Sequence, residues 1–162
     1  LFHAQKNGFT CNHLTPYSGW AAFREEARQL WTTYLHIATP ASITRIALRY
    51  INKIDLPGGS EFSHYFKTYP EVSADMPQLL AGLLMRLVIP HLDIGATLIL
   101  HQSMLNPQED GTTPIILDLD LFKFVDLRAD SDELWDWIEQ LHDREFASFE
   151  ACLTDKMKEF ID

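Results

Sequence analysis

ATLILHQSML at residues 96–105, NPQEDGTT at 106–113 and PIILDLDLFKFV at 114–125 decide the fold. The first and third segments are rich in β-branched and aromatic residues, and the third alternates strictly. Ile115, Leu117, Leu119 and Leu121 fall on one face of such a strand, and Ile116, Asp118, Asp120, Phe122 and Phe124 on the other. Pro107 and Gly111 break the segment between them, which reads as a hairpin loop. Two antiparallel strands are therefore expected here.

Outward from this hairpin, residues 42–54 (SITRIALRYINKI) read as another strand. It ends at Pro57-Gly58-Gly59. Ile46, Leu48 and Tyr50 share one face, and Arg45, Ala47, Arg49, Ile51 and Lys53 share the other. Residues 20–38 predict a helix, because Trp20, Phe23, Ala27, Leu30, Trp31, Tyr34 and Ala38 recur at intervals of three and four. Ser18 is its expected N-cap, and Pro40 closes it. Residues 76–89 predict a second helix, with Asp75 as cap, Pro77 in its first turn and an apolar face of Leu79, Leu80, Leu83, Leu84, Leu87 and Val88. Pro90 is its stop.

Residues 58–74 read as a long loop with a helical turn near Phe62–Phe66, and residues 1–14 as a strand region. From Leu117 onward there is no Gly or Pro. Asp130 and Glu133 form a capping-box pattern, and residues 131–161 predict one long carboxy-terminal helix or two meeting near Arg144–Ser148. The resulting order, β-α-β-α-β-β-α, predicts an α+β fold with a mainly antiparallel sheet and helices packed on one face.

The length of 162 residues fits a single domain and lets roughly 70% of the unfolded surface be buried. With 13 Lys+Arg against 23 Asp+Glu, the net charge is −10, which argues against binding a nucleic-acid backbone. The charge is uneven. Residues 1–58 hold six basic and three acidic groups, and residues 128–162 hold four and eleven. Two cysteines, Cys11 and Cys152, make no disulfide framework. No secretory signal opens the chain, and no run of about 18 apolar residues spans a membrane. A cytoplasmic protein is the expectation.

Four strings, taken together and in order, carry a resemblance. They are Tyr17-Ser18-Gly19-Trp20, Arg45-x-x-x-Arg49-Tyr50-Ile51-Asn52-Lys53-Ile54, Ile116-Leu117-Asp118-Leu119-Asp120, and Phe149-Glu150 with Leu153-Thr154-Asp155. The chain resembles the carboxy-terminal part of a sporadically distributed bacterial protein family of unknown function. That resemblance implies a bacterial cytosolic setting and a longer parent protein. It brings no activity with it.

Three sets of residues are candidates for function. Asp118 and Asp120 lie on one strand face about 6.5–7 Å apart along it, a spacing that could hold Mg²⁺ or Mn²⁺. A lysine two residues further on would complete a nuclease-like pattern, but Phe122 stands there. Arg45 and Arg49, about 13 Å apart on their own strand, could clamp a phosphate or carboxylate. The same four residues could instead pair with one another across the sheet, two acids against two arginines. Trp135 and Trp137, both interface candidates, are two apart on a helix and cannot share a face, so one of them, Trp135, is expected near the surface or under another element.

The seven histidines lack metal-ligand spacing, and no nucleophile elbow, phosphate loop or kinase motif occurs. No cofactor is expected. The leading expectation is a non-enzymatic protein-interaction or regulatory domain, with a protein partner or self-association and neither nucleic acid nor membrane. The alternative is a metal- or phosphate-binding domain or enzyme using Asp118 and Asp120 with Arg45 and Arg49.

Overall fold

A computed structural model describes residues 1–5, 7–14 and 19–161. The fold is α+β with antiparallel sheets. The chain, read as one domain from its length, forms two compact units: Leu1–Thr44 with Val125–Leu134, and Arg45–Phe124 with Trp135–Asp162.

In the first unit, strands β1 (Phe2–Gln5) and β2 (Gly8–Cys11) form an antiparallel hairpin with Phe2 opposite Cys11. Helix α1 (Trp20–Ala38) packs on it through the expected apolar stripe. The Phe9 ring lies 5.5 Å from both Trp31 and Tyr34, and the Tyr34 hydroxyl donates to the Gln5 carbonyl at 2.9 Å. The helix stops where Thr39 turns left-handed at φ 44° and donates its N–H to the Leu35 carbonyl, just before Pro40. The expected cap, Ser18, lies outside the described residues.

The second unit is built on a four-stranded sheet. Its strands are β3 (Ser42–Pro57), β4 (Leu84–His91), β5 (Ala96–Met104) and β6 (Thr112–Arg128), in the order β3-β6-β5-β4. The deciding hairpin is present, with Leu98 opposite Leu121 and Leu100 opposite Leu119. Leu98, Leu100, Ile115, Leu117, Leu119 and Leu121 make the buried face, as the alternation predicts. Helix α2 (Glu133–Cys152) lies on this face within the unit. His142 reaches the Tyr50 hydroxyl, and the Lys123 ammonium sits 3.3 Å above the Trp137 ring.

Three expectations need correction. The helix predicted over 76–89 is not formed, and Leu84–His91 is instead edge strand β4. The segment is apolar at nearly every position, so it satisfies helical and strand periods alike. Pairing along β5 decides the outcome, and Pro90 is tolerated because β4 is the sheet's edge. The element order accordingly becomes β-β-α-β-β-β-β-α-α, with one 3-10 turn, Phe62–His64, in the long loop.

The carboxy-terminal helix is not continuous. It breaks at Leu153–Thr154, not near Arg144–Ser148, and resumes as the short α3 (Asp155–Ile161). The backbone there pairs with the loop: Lys67 N–H donates to the Cys152 carbonyl, Thr154 N–H to the Tyr65 carbonyl, and Leu153 bridges Phe66. Asp130 stands three residues before α2, which begins at Glu133. It accepts a forked bond from Arg128, and the Ser131 hydroxyl accepts the Glu133 N–H. None of the described helices is long and apolar enough to cross a membrane.

Candidate functional site

Beyond its helix-covered face, the sheet presents a second face of opposite parity. Period two sends Arg45, Ala47, Arg49, Ile51 and Lys53 there from β3, and Ile116, Asp118, Asp120 and Phe122 from β6. Cross-strand register adds the rest. His101 stands opposite Asp118, and Arg86 stands opposite His101. Arg49, Asp118, His101 and Arg86 therefore form one polar row across all four strands. Apolar residues flank the row: Ile99 and Val88 on one side, Ile116 and Leu84 on the other.

The arginines and aspartates meet as pairs. Arg49 Nε donates to Asp118 Oδ1 at 2.8 Å and its Nη2 to Oδ2 at 2.6 Å. This forked bond raises the Arg49 pKa above its ordinary value. His101 Nδ1 lies 3.8 Å from Asp118 Oδ2. Arg45 approaches Asp120 at 3.8 Å and lies over the Phe122 ring. Of the arrangements open to these four residues, this is the ion-pair one. Both oxygens of Asp118 are engaged by Arg49. Among the described residues, no three His, Cys, Asp or Glu side chains converge as a metal would need.

A cavity of about 640 Å³ lies elsewhere, between the 58–81 segment and the ends of β3, β5 and β6. Leu56, Phe62, Tyr69, Leu80, Met104 and Ile115 help line it. Arg45, Arg49, Asp118 and Asp120 do not.

Trp135 is not a surface residue. It is 7% exposed, and Trp137 lies beneath Lys123. Exposed apolar side chains are spread over the chain, Ile37, Leu79, Leu92 and Phe146 among them, and those on the open face of the sheet include Leu84 at 80%, Ile51 at 61% and Val88 at 53%. Sequence reasoning missed Arg86, Leu84 and Val88 because it had placed them on a helix.

It also missed Glu145. This carboxyl is buried on α2, accepts the Tyr50 N–H at 3.3 Å through Oε1, and has no partner at Oε2. Burial pushes its pKa up to about 8. The signal was present, since Glu145 continues the apolar stripe of Leu134, Ile138 and Leu141. The Tyr50 hydroxyl meets His142 Nδ1 at 3.0 Å, and burial lowers the His142 pKa.

Comparison with protein-family models, curated proteins and solved structures finds no match.

Proposed function

We propose that this chain is a non-enzymatic protein-interaction domain that docks a partner protein on the open face of its sheet. The observation that carries the reading is the exposure of Leu84, Val88 and Ile51 around the polar row of Arg49, Asp118, His101 and Arg86. Exposed apolar side chains flanking a polar row give this face both kinds of contact that protein interfaces use. The acidic balance of the chain favours protein over nucleic acid as the partner. The resemblance to a bacterial family of unknown function is consistent with a cytosolic accessory role, in a protein longer than this chain.

The alternative, a metal or phosphate site at Asp118 and Asp120 with Arg45 and Arg49, has weaker support. Its four side chains are engaged with each other, and none of them lines the cavity.

The test is a selection of random dodecapeptides displayed on phage against the immobilised chain. Enriched peptides are expected to lose binding to the Ile51→Glu/Val88→Glu double variant, checked by circular dichroism to be folded. Peptides that bind wild type and variant equally, or no enrichment at all, would overturn the reading.

A further inference from the structure

We infer that edge strand β4 accepts an extended segment of the partner as a fifth strand, with an acid of that segment beside Arg86 and apolar residues beside Leu84 and Val88. The inference rests on the docking reading above and gives it a mode and a chemistry.

The backbone supplies the first argument. Met104 N–H donates to the Leu83 carbonyl at 3.0 Å, which extends the β4–β5 ladder by one rung and sets its parity. In an antiparallel ladder, alternate residues exchange both bonds with one neighbour. Met85, Leu87 and Ile89 therefore bond to β5. The N–H groups of Leu84, Arg86 and Val88 point away from it, along the free edge of the sheet. Pro90 has the same outward parity, so its missing donor costs the sheet nothing. Edges of this kind are usually blunted by lysines, by bulges or by a covering element. Here one proline stands near one end, and no lysine occurs in the strand.

The side chains supply the second argument. Leu84, Arg86 and Val88 all project to the open face, so a strand laid alongside meets apolar, cationic and apolar neighbours at successive two-residue steps. Arg86 is exposed, and among the described residues it has no carboxylate partner. On the same face Arg45 and Arg49 are satisfied by Asp120 and Asp118, and Lys53 by Asp55 at 2.9 Å. Among the described basic residues of this face from Arg45 to Lys53 and on β4, Arg86 is thus the cation without a carboxylate partner. Its complement is an acid set between two apolar residues at alternate positions.

A second copy of the chain is a poorer occupant. β4 reads Leu-Met-Arg-Leu-Val-Ile-Pro-His and contains no acid. Self-pairing in any register sets Arg86 beside itself or beside an uncharged open-face residue.

The probe is a fluorescein-labelled heptapeptide, Thr-Val-Thr-Glu-Thr-Val-Thr, measured by fluorescence polarisation. It is expected to bind at least tenfold more tightly than the same peptide with Lys in place of Glu. Arg86→Glu is expected to invert that ranking. Val88→Pro removes one outward N–H and leaves the β5 rungs intact, as Pro90 does, and is expected to weaken binding at least tenfold. N-methylation of alternate peptide amides, which leaves the protein untouched, is expected to do the same.

An undetectable interaction, or affinities indifferent to Val88→Pro, to N-methylation and to the charge swap, would overturn the inference. Phage-selected peptides that still need Ile51 but ignore those changes would leave the docking reading standing and remove the strand-addition mode. A wild-type dimer in sedimentation equilibrium that dissociates in Val88→Pro would replace the foreign strand by a second copy.

Discussion

Arg49 closes on Asp118 with both arms of its guanidinium, at 2.8 and 2.6 Å, so the open face of the sheet carries a fixed ion pair at its centre. The environment is mixed. Asp118 is nearly buried, whereas the Arg49 side chain is half exposed. Exposed pairs are worth about 0–1 kcal/mol, and breaking a buried pair costs about 3–5 kcal/mol. A double-mutant cycle with Arg49→Ala and Asp118→Ala, read by urea denaturation, is expected to give a coupling of about 1–2 kcal/mol between those limits. Arg49→Ala alone should be the costlier single change, because it leaves a mostly buried carboxylate facing only His101. Additive single effects would refute the pair's contribution.

Glu145 makes stability depend on pH in the neutral range. An unfolded glutamate titrates near 4.3, whereas burial holds this one at about 8. The folded chain therefore binds the proton more tightly than the unfolded chain. Its contribution is fully present below about 4.3 and is lost as pH rises through about 8. Asp93, held low by Arg144, and His91 and His142, held low by burial, act in the opposite sense, the first at acid pH and the histidines up to about their ordinary value of 6.5. The melting temperature of wild type is therefore expected to fall between about pH 7 and 8.5, above the range of the histidines. Glu145→Gln, which keeps an acceptor for the Tyr50 N–H, should fall less and be the more stable protein at pH 8.5. Parallel curves for the two would remove Glu145 as the cause.

Thr154 holds the helix break together. Its hydroxyl donates to the His64 carbonyl at 2.7 Å and accepts the Met157 N–H at 3.2 Å, so it ties the loop and caps α3 at once. Thr154→Ala is expected to cost about 1–2 kcal/mol in chemical denaturation, and Thr154→Ser less than half of that. Equal losses in both variants would point to the methyl group instead of the hydroxyl.

Gly58 is where the end of β3 meets the β5–β6 loop. Its N–H donates to the Gly111 carbonyl at 2.9 Å, and a Cβ at residue 58 would lie 2.5 Å from that same oxygen. The obstacle is backbone, which cannot swing aside as a side chain would. Gly58→Ala is expected to destabilise by about 1–3 kcal/mol, the usual range for overpacking. Gly82→Ala, with nothing within 4 Å, is the control and should be near neutral or stabilising. A harmless Gly58→Ala would contradict the close approach.

Much of this architecture follows from local pattern. Strict alternation in PIILDLDLFKFV determined which residues of β6 are buried and set Asp118 and Asp120 on the opposite face from the leucines. The same period placed Arg45 and Arg49 together on one face of β3, and intervals of three and four determined α1. In each case side-chain spacing distinguishes helix from strand, and one amphipathic face marks the core.

Tertiary structure decided the rest. The Leu-rich run before Pro90 is apolar at too many positions for its period to choose, so β4 exists only because β5 offers a ladder to bond with. The helix from Glu133 ends at Cys152 because a loop nearly ninety residues earlier competes for the backbone of Cys152, Leu153 and Thr154. Whether the four charges of the open face would hold a ligand or each other was likewise undetermined by spacing. Residue types fix which bonds are possible, but strand order brought Asp118 between Arg49 and His101, and only that juxtaposition left Arg86 without an acid.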